Sequence, residues 1–269
     1  MKKNKKVHRR LRCFLTTIGA CLFVTSCANI DAMEEVEGES IINFFIDFEE
    51  MEEMNIYSED EGLASEYNEE PMQGSFYENI VMIENPDDYL VLVNKNHALD
   101  PDYTPTDLRV INVWTVGNMT ILLRERAATR LEELFDAAWD EGLALLAVSG
   151  YRSYETQTIL HESYIAIFGQ EAADRFSARP GHSEHQTGLA LDVSANSVGG
   201  RLVPGFSTTP EGEWLRANAH RFGFIIRYPD SREQDTGYVY EPWHIRYVGI
   251  RSATIIFENN WILEEYLSQ

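Results

Sequence analysis

The chain has 269 residues, with 44 Asp and Glu against 22 Lys and Arg, and a net charge of -22. That acidity excludes nucleic acid as an expected partner, since phosphate binding needs a basic footprint and the body of the chain has none. The length supports one good-sized folded domain with a real core plus accessory segments, and a monomer is expected.

The charge is unevenly spread. Residues 1–12 carry seven Lys or Arg and no acid, whereas Cys13 to Asn94 carry no Lys or Arg, and residues 28–94 hold twenty Asp and Glu. An apolar stretch from Leu11 to Val24 follows the basic start, interrupted by Thr16, Thr17 and Gly19. It is shorter and less apolar than a good spanning helix, so it reads as an export signal. It closes with Val24-Thr25-Ser26-Cys27, which resembles the lipobox of bacterial lipoproteins. That resemblance implies a signal peptide over residues 1–27 and lipidation of Cys27. Ile18-Gly19-Ala20-Cys21 fits more loosely and leaves too short an apolar region before it. An uncleaved anchor helix is the alternative, and either reading puts the rest of the chain outside the cytoplasm, held at a membrane. All three cysteines, Cys13, Cys21 and Cys27, lie in the leader. A disulfide framework and a thiolate metal site are therefore excluded from the exported part, and any metal must be held by His and carboxylate.

Residues 28–78 read as an acidic tether: runs such as Glu49-Glu50-Met51-Glu52-Glu53 repel one another and resist compaction. The folded domain is assigned to residues 79–269. Its first expected strand is Tyr89-Leu90-Val91-Leu92-Val93-Asn94, followed by a loop over 96–107. Leu122, Leu123, Ala127, Leu131, Leu134, Phe135 and Ala138 recur at helical steps and predict a helix within 118–142, ended by Gly142. A buried strand over 143–150 follows, then helices over 154–168 and 212–222. Strands are expected at 189–194, 224–227 and 244–248. The order predicts an α+β fold, with helices flanking a small antiparallel sheet that carries the polar residues.

Within the run Leu189-Ala190-Leu191-Asp192-Val193, alternation puts Asp192 on the face opposite Leu189, Leu191 and Val193. A carboxylate there is costly to bury without a cation or a donor. Gly188 offers a permissive turn between Asp192 and His185. Downstream lies Glu241-Pro242-Trp243-His244. Two imidazoles, one carboxylate and a second carboxylate beside them are the inventory of a catalytic zinc site with one position open to water. Alone, His185 reads as a loop histidine and Asp192 as a turn or cap residue; their conjunction with Glu241 and His244 favours the metal. Pro242 argues against a helix interior, so Glu241 is expected in a loop just ahead of the strand that holds His244.

The pattern S-x-H-x-x-G-x-A-x-D followed by E-x-x-H resembles the signature of the LAS metallopeptidases, the group of lysostaphin, the D-alanyl-D-alanine peptidases and hedgehog. The likeness is strongest to the VanY-type carboxypeptidases, through Ser149-Gly150-Tyr151-Arg152-Ser153, Pro180 to Gly188 and Gly237 to Tyr247. It covers about residues 88–262. The resemblance implies that His185, Asp192 and His244 bind Zn2+ and that Glu241 is the catalytic base. It implies that Arg152 steadies an oxyanion or a substrate carboxylate, and that Gln157, Ser183 and Tyr238 contact the terminal residue of a peptide. The implied activity is removal of the C-terminal D-alanine from peptidoglycan stem peptides. L,D-carboxypeptidase or endopeptidase action with the same zinc site is the enzymatic alternative, and a cell-wall-binding module with a vestigial site is the non-enzymatic one. Other residues take plainer readings. His182 is assigned no ligand role, Trp214, Leu215 and Phe222 are expected in the core, and Arg227, Arg246 and Arg251 are expected as solvated surface charge. Without the resemblance, Arg152 would read as half of a surface salt bridge.

Overall fold

The structure is a computed structural model that describes residues 76–269. The leader with Cys27 and residues 28–75 lie outside the described residues, as do the expectations placed on them. Among the described residues no helix is long and apolar enough to cross a membrane.

Two short strand pairs come first: β1 (Val81–Met82) beside β2 (His97–Ala98), and β3 (Leu108–Val110) beside β4 (Leu122–Arg124). Helix α1 (Glu125–Asp140) leads to β5 (Leu145–Ser149), and α2 (Tyr154–Phe168) and α3 (Gln170–Phe176) follow as a pair. Next are β6 (Ala190–Ala195), α4 (Pro210–Asn218), β7 (Phe224–Tyr228), α5 (Glu233–Thr236), β8 (Glu241–Tyr247), α6 (Ile250–Asn259) and α7 (Leu263–Leu267). The main sheet has the order β5-β6-β8-β7, with every neighbour antiparallel. This is the α+β fold that the element order predicts.

The sheet works as a divider. Leu189, Leu191, Val193 and Ala195 near and along β6, with Trp243, Ile245 and Tyr247 of β8, point into the main core. There they meet Ala127, Leu131, Leu134 and Ala138 of α1, and Trp214 and Leu215 of α4. Leu131 and Leu134 are fully buried, and each such side chain adds roughly 2 kcal/mol of burial. The alternate residues, Asp192 on β6 and His244 and Arg246 on β8, therefore emerge together on the other face. Smaller apolar clusters cover the flanks, Leu160, Tyr164 and Ala173 joining α2 to α3, and Ile225, Val248, Ala253, Ile256 and Leu263 joining β7 to α6 and α7.

Several boundaries differ from the sequence reading. Tyr89–Asn94 forms no ladder; only Asn94 makes an isolated bridge, to His97, although Val91 and Val93 are buried. Its apolar residues fill the core without strand pairing. The expected helix over 118–142 begins at Glu125 because Leu122–Arg124 pairs with β3 instead. The helix expected over 212–222 starts at Pro210 and tightens into a 3-10 turn over Ala219–Phe222. Glu241 is the first residue of β8 rather than part of a preceding loop. Arg227 and Arg246 are fully buried, against the expectation of surface charge, because both pair with the buried Glu184.

Candidate active site

Asp192 and His244 are direct register partners on the two central strands, β6 and β8. A regular strand would send residues 241 and 244 to opposite faces, since side chains alternate with period two. The register between β7 and β8 shifts between the pairs Ile226–Ile245 and Tyr228–Glu241, so β8 carries extra residues around Pro242 and Trp243. Proline lacks the N–H that a ladder needs, and a bulge is where a strand accommodates it. The bulge brings Glu241 Oε2 to 3.6 Å from His244 Nδ1.

His185 enters from a single 3-10 turn, Glu184–Thr187, whose start is capped by Ser183 Oγ accepting from the His185 N–H at 3.4 Å. The turn is closed by Gly188 at φ 64°, where a Cβ would lie 2.7 Å from Leu108 Cδ2. Only glycine meets both demands. The Gly150 carbonyl accepts from His185 Nδ1 at 2.7 Å. A carbonyl can only accept, so the proton sits on Nδ1 and the lone pair of Nε2 faces the site.

The donors converge. His185 Nε2 lies 3.3 Å from Asp192 Oδ2, and His244 Nδ1 lies 3.2 Å from Asp192 Oδ1. One ligand atom from each of the three residues falls within 4.8 Å of the others, and all three residues are buried. Asp192 Oδ1 nevertheless makes no hydrogen bond. Close approach without hydrogen-bond alignment is what donors aimed at a shared cation look like. Donors roughly 2.1 Å from a tetrahedral ion lie about 3.4 Å apart, close to the separations seen here. Two nitrogens and one carboxylate oxygen suit zinc and leave a position open.

Without a cation the site compensates with protons. Burial pushes the Glu241 carboxyl up to about 8, with Asp192 adding to the rise. Burial pushes His244 down, but Asp192 and Glu184 more than offset it and raise the imidazole to about 9. Burial raises the Asp192 carboxyl, and the two imidazoles overcome it and hold it well below the usual carboxylate range. Arg152 completes the rim. Its backbone N–H donates to the His185 carbonyl at 3.2 Å. Its guanidinium donates to Gln157 Oε1 at 2.7 Å and to Ser149 Oγ at 3.0 Å. Three of its five N–H groups remain for an incoming anion.

A family described as D-alanyl-D-alanine carboxypeptidase, VanY, matches residues 120–250. The YodJ protein of Bacillus subtilis (strain 168) is 45% identical over 190 residues, 70% of this chain and 70% of that protein. The chain belongs to the VanY D-alanyl-D-alanine carboxypeptidase family. Among solved structures, the LdcB LD-carboxypeptidase superposes with a TM-score of 0.68 at 44% identity, covering 71% of this chain and 91% of that one. A mutant VanY D,D-pentapeptidase from a VanB-type resistance cassette, in complex with Zn(II), gives 0.57 at 35% identity over 66% and 98%.

Within this VanY-type fold, the sequence-derived residues fall into three groups. His185, Asp192, His244 and Glu241 come together, with Arg152 beside them. Gln157 sits behind Arg152, its carboxamide nitrogen donating to the Ala178 carbonyl at 2.7 Å while its oxygen holds the guanidinium. Ser183 caps the ligand turn, and Tyr238 stands one ring further away. Tyr238 packs on Tyr228 with ring centroids 4.8 Å apart, and Tyr228 in turn lies 5.0 Å from the His244 ring. His182 Nδ1 donates to the Asn94 carbonyl at 2.8 Å, and the residue takes no place among the ligands. A carbonyl accepts only, so Nδ1 carries the proton there. Sequence reasoning missed Glu184. Its one signal was its position beside a ligand in an otherwise buried turn, and its partners lie 43 and 62 residues away.

Proposed function

We propose that the chain is a zinc-dependent carboxypeptidase that removes a C-terminal D-alanine from peptidoglycan stem peptides. The observation that carries this reading is the convergence of His185 Nε2, Asp192 and His244 Nδ1, with Glu241 at 3.6 Å and Arg152 at the rim. Zinc held by those three residues supplies a Lewis acid that activates water and polarises a carbonyl. Glu241, its Oε2 3.6 Å from the ligand atom His244 Nδ1, takes a proton from the attacking water and passes it to the leaving amine. Arg152 donates paired N–H groups to the developing oxyanion or to the substrate's terminal carboxylate. Gln157 keeps that guanidinium in place. Ser183 and Tyr238 are assigned to the pocket wall around the terminal residue.

For the bond cleaved, we favour that of an L,D-carboxypeptidase acting on tetrapeptides. Support comes from the higher identity and TM-score with LdcB than with the VanY pentapeptidase. The D,D reading expected from the sequence is the second, supported by the family model and by the VanY structure. The leader supports a location at the outer face of a membrane, with lipid on Cys27; Cys27→Ser should shift the protein from the membrane to the soluble fraction.

The test is hydrolysis of tetrapeptide and pentapeptide stems by zinc-loaded protein, with mass detection of the released D-alanine. Tetrapeptide turnover well above pentapeptide turnover supports the L,D reading, and the reverse preference supports the D,D reading. Release of neither D-alanine, from protein shown to hold zinc, would sink the proposal.

A further inference from the structure

Behind His244 lies a second group of buried charges. Glu184 Oε1 accepts from Arg227 Nε at 2.8 Å and from Arg246 Nη1 at 2.6 Å. Arg227 also donates to both oxygens of Glu264 on α7, at 2.7 and 3.0 Å. Arg246 donates to the carbonyls of Val91 and Tyr89, at 2.7 and 3.2 Å. Glu184 is 1% exposed and both arginines no more than that. Two guanidinium groups within 2.8 Å of Oε1 hold Glu184 as a carboxylate in this buried setting.

The other carboxylate oxygen, Glu184 Oε2, makes no hydrogen bond, and neither does His244 Nε2. The two atoms face each other at 3.5 Å, a few tenths of an ångström beyond a formed bond. His244 has two nitrogens, and only the one without a proton can bind a metal. Its Nδ1 faces Asp192 and its Nε2 faces Glu184, so the carboxylate decides which nitrogen keeps the proton.

We propose that Glu184 is a positioning residue for the metal site, accepting the Nε2–H of His244 so that the Nδ1 lone pair is presented to zinc. The proposal rests on the zinc reading above. It gives the two ligand histidines opposite tautomers. His185 is set by the Gly150 carbonyl and offers Nε2, whereas His244 is set by Glu184 and offers Nδ1. A carboxylate behind a ligand imidazole also makes it a stronger electron donor than a carbonyl does. The arginines hold the carboxylate in register, and Glu264 of α7 holds Arg227.

Glu184→Gln tests this by chemistry rather than size. Both arginines donate at the position of Oε1, so a glutamine must turn its carbonyl oxygen there. Its NH2 then faces His244 Nε2, which has to accept, and the proton moves to Nδ1. Zinc affinity, measured by competition with a chelator, should fall ~10–100-fold, and Glu184→Asp should recover part of the loss. Arg246→Met, which disturbs the same cluster without reversing the hydrogen bond, should cost less zinc affinity than Glu184→Gln. Equal losses in the two variants, or wild-type affinity in Glu184→Gln, would overturn the proposal. If Glu184→Gln does not fold, 15N NMR of the zinc-loaded wild type decides it. Protonated Nε2 and metal-bound Nδ1 at His244, with the reverse at His185, support the proposal, and metal-bound Nε2 at His244 overturns it. A wild type that binds no zinc removes the functional reading as well, and is recognised before any variant is compared.

Discussion

Two clusters of buried charge share His244, one on each side of its ring, and they solve burial differently. The rear cluster pairs two carboxylates, Glu184 and Glu264, with two arginines, Arg227 and Arg246, and is neutral with the charges fixed in the fold. The front cluster sets Asp192 and Glu241 beside two imidazoles that are neutral when they ligate metal. Without a cation it relies on added protons at Glu241 and His244. Burial alone therefore does not mark a metal site. What marks it is a set of three ligand atoms, one each from His185, Asp192 and His244, converging within 4.8 Å of one another.

The largest expected difference between the clusters is in turnover. Glu241→Ala should keep zinc, by metal analysis, and lose about 10³-fold or more in kcat, since general-base catalysis supplies roughly 10²–10⁴-fold. Glu184, Arg227 and Arg246 are buried behind His244, so no conservative substitution of them should match that loss at saturating zinc. Stability should show the opposite ranking. Arg246→Met leaves Glu184 with half of its compensation, and breaking a buried pair costs about 3–5 kcal/mol, readable from the urea midpoint.

The pH dependence separates the clusters next. The folded values of Glu241 and His244, about 8 and about 9, lie above the ordinary values of 4.5 and 6.5. Each protonated form is thus favoured by folding. The contribution is complete below the ordinary value and is lost as pH rises through the folded one. Metal-free protein should lose thermal stability between about pH 5 and 9. Stabilisation by zinc should grow as pH rises toward about 9, because zinc must displace the proton on His244 Nδ1. Glu184 and Asp192 are lowered, so their contribution is present above the ordinary carboxylate range and is lost only on strong acidification. A metal-free thermal midpoint that rises from pH 5 to 9 would break this account of the front cluster.

Smaller effects sharpen the picture. Gln157→Ala removes the group that steadies Arg152 and should lower kcat/KM by about tenfold, with zinc content unchanged; a 1.4 kcal/mol loss of positioning corresponds to that factor. Arg130→Ala breaks an exposed pair with Glu133 and should change stability by under about 1 kcal/mol.

The sequence made the front cluster readable and the rear one unreadable for a physical reason. Metal chemistry restricts ligand types and spacing, so His185, Asp192, Glu241 and His244 stood out together. Helix α2 was equally legible: the span expected over 154–168 is the one observed, Tyr154–Phe168. The rear ion pairs join residues with no local signature: Arg227 and Arg246 sit in strands whose arginines could as well face water, and only tertiary packing puts Glu184 between them. The β8 bulge was half legible. Pro242 argued against a helix, but the register shift that aligns Glu241 with His244 depends on pairing with β7. Tyr89–Asn94 misled because apolar composition signals burial, not ladder pairing.

The central claim is that the front cluster is completed by one zinc ion. A crystal of zinc-loaded protein measured on both sides of the zinc absorption edge tests it most directly. The account predicts a single full anomalous peak per chain, bonded to His185 Nε2, Asp192 and His244 Nδ1. No peak there, or a stoichiometric zinc bound elsewhere in the domain, would contradict it.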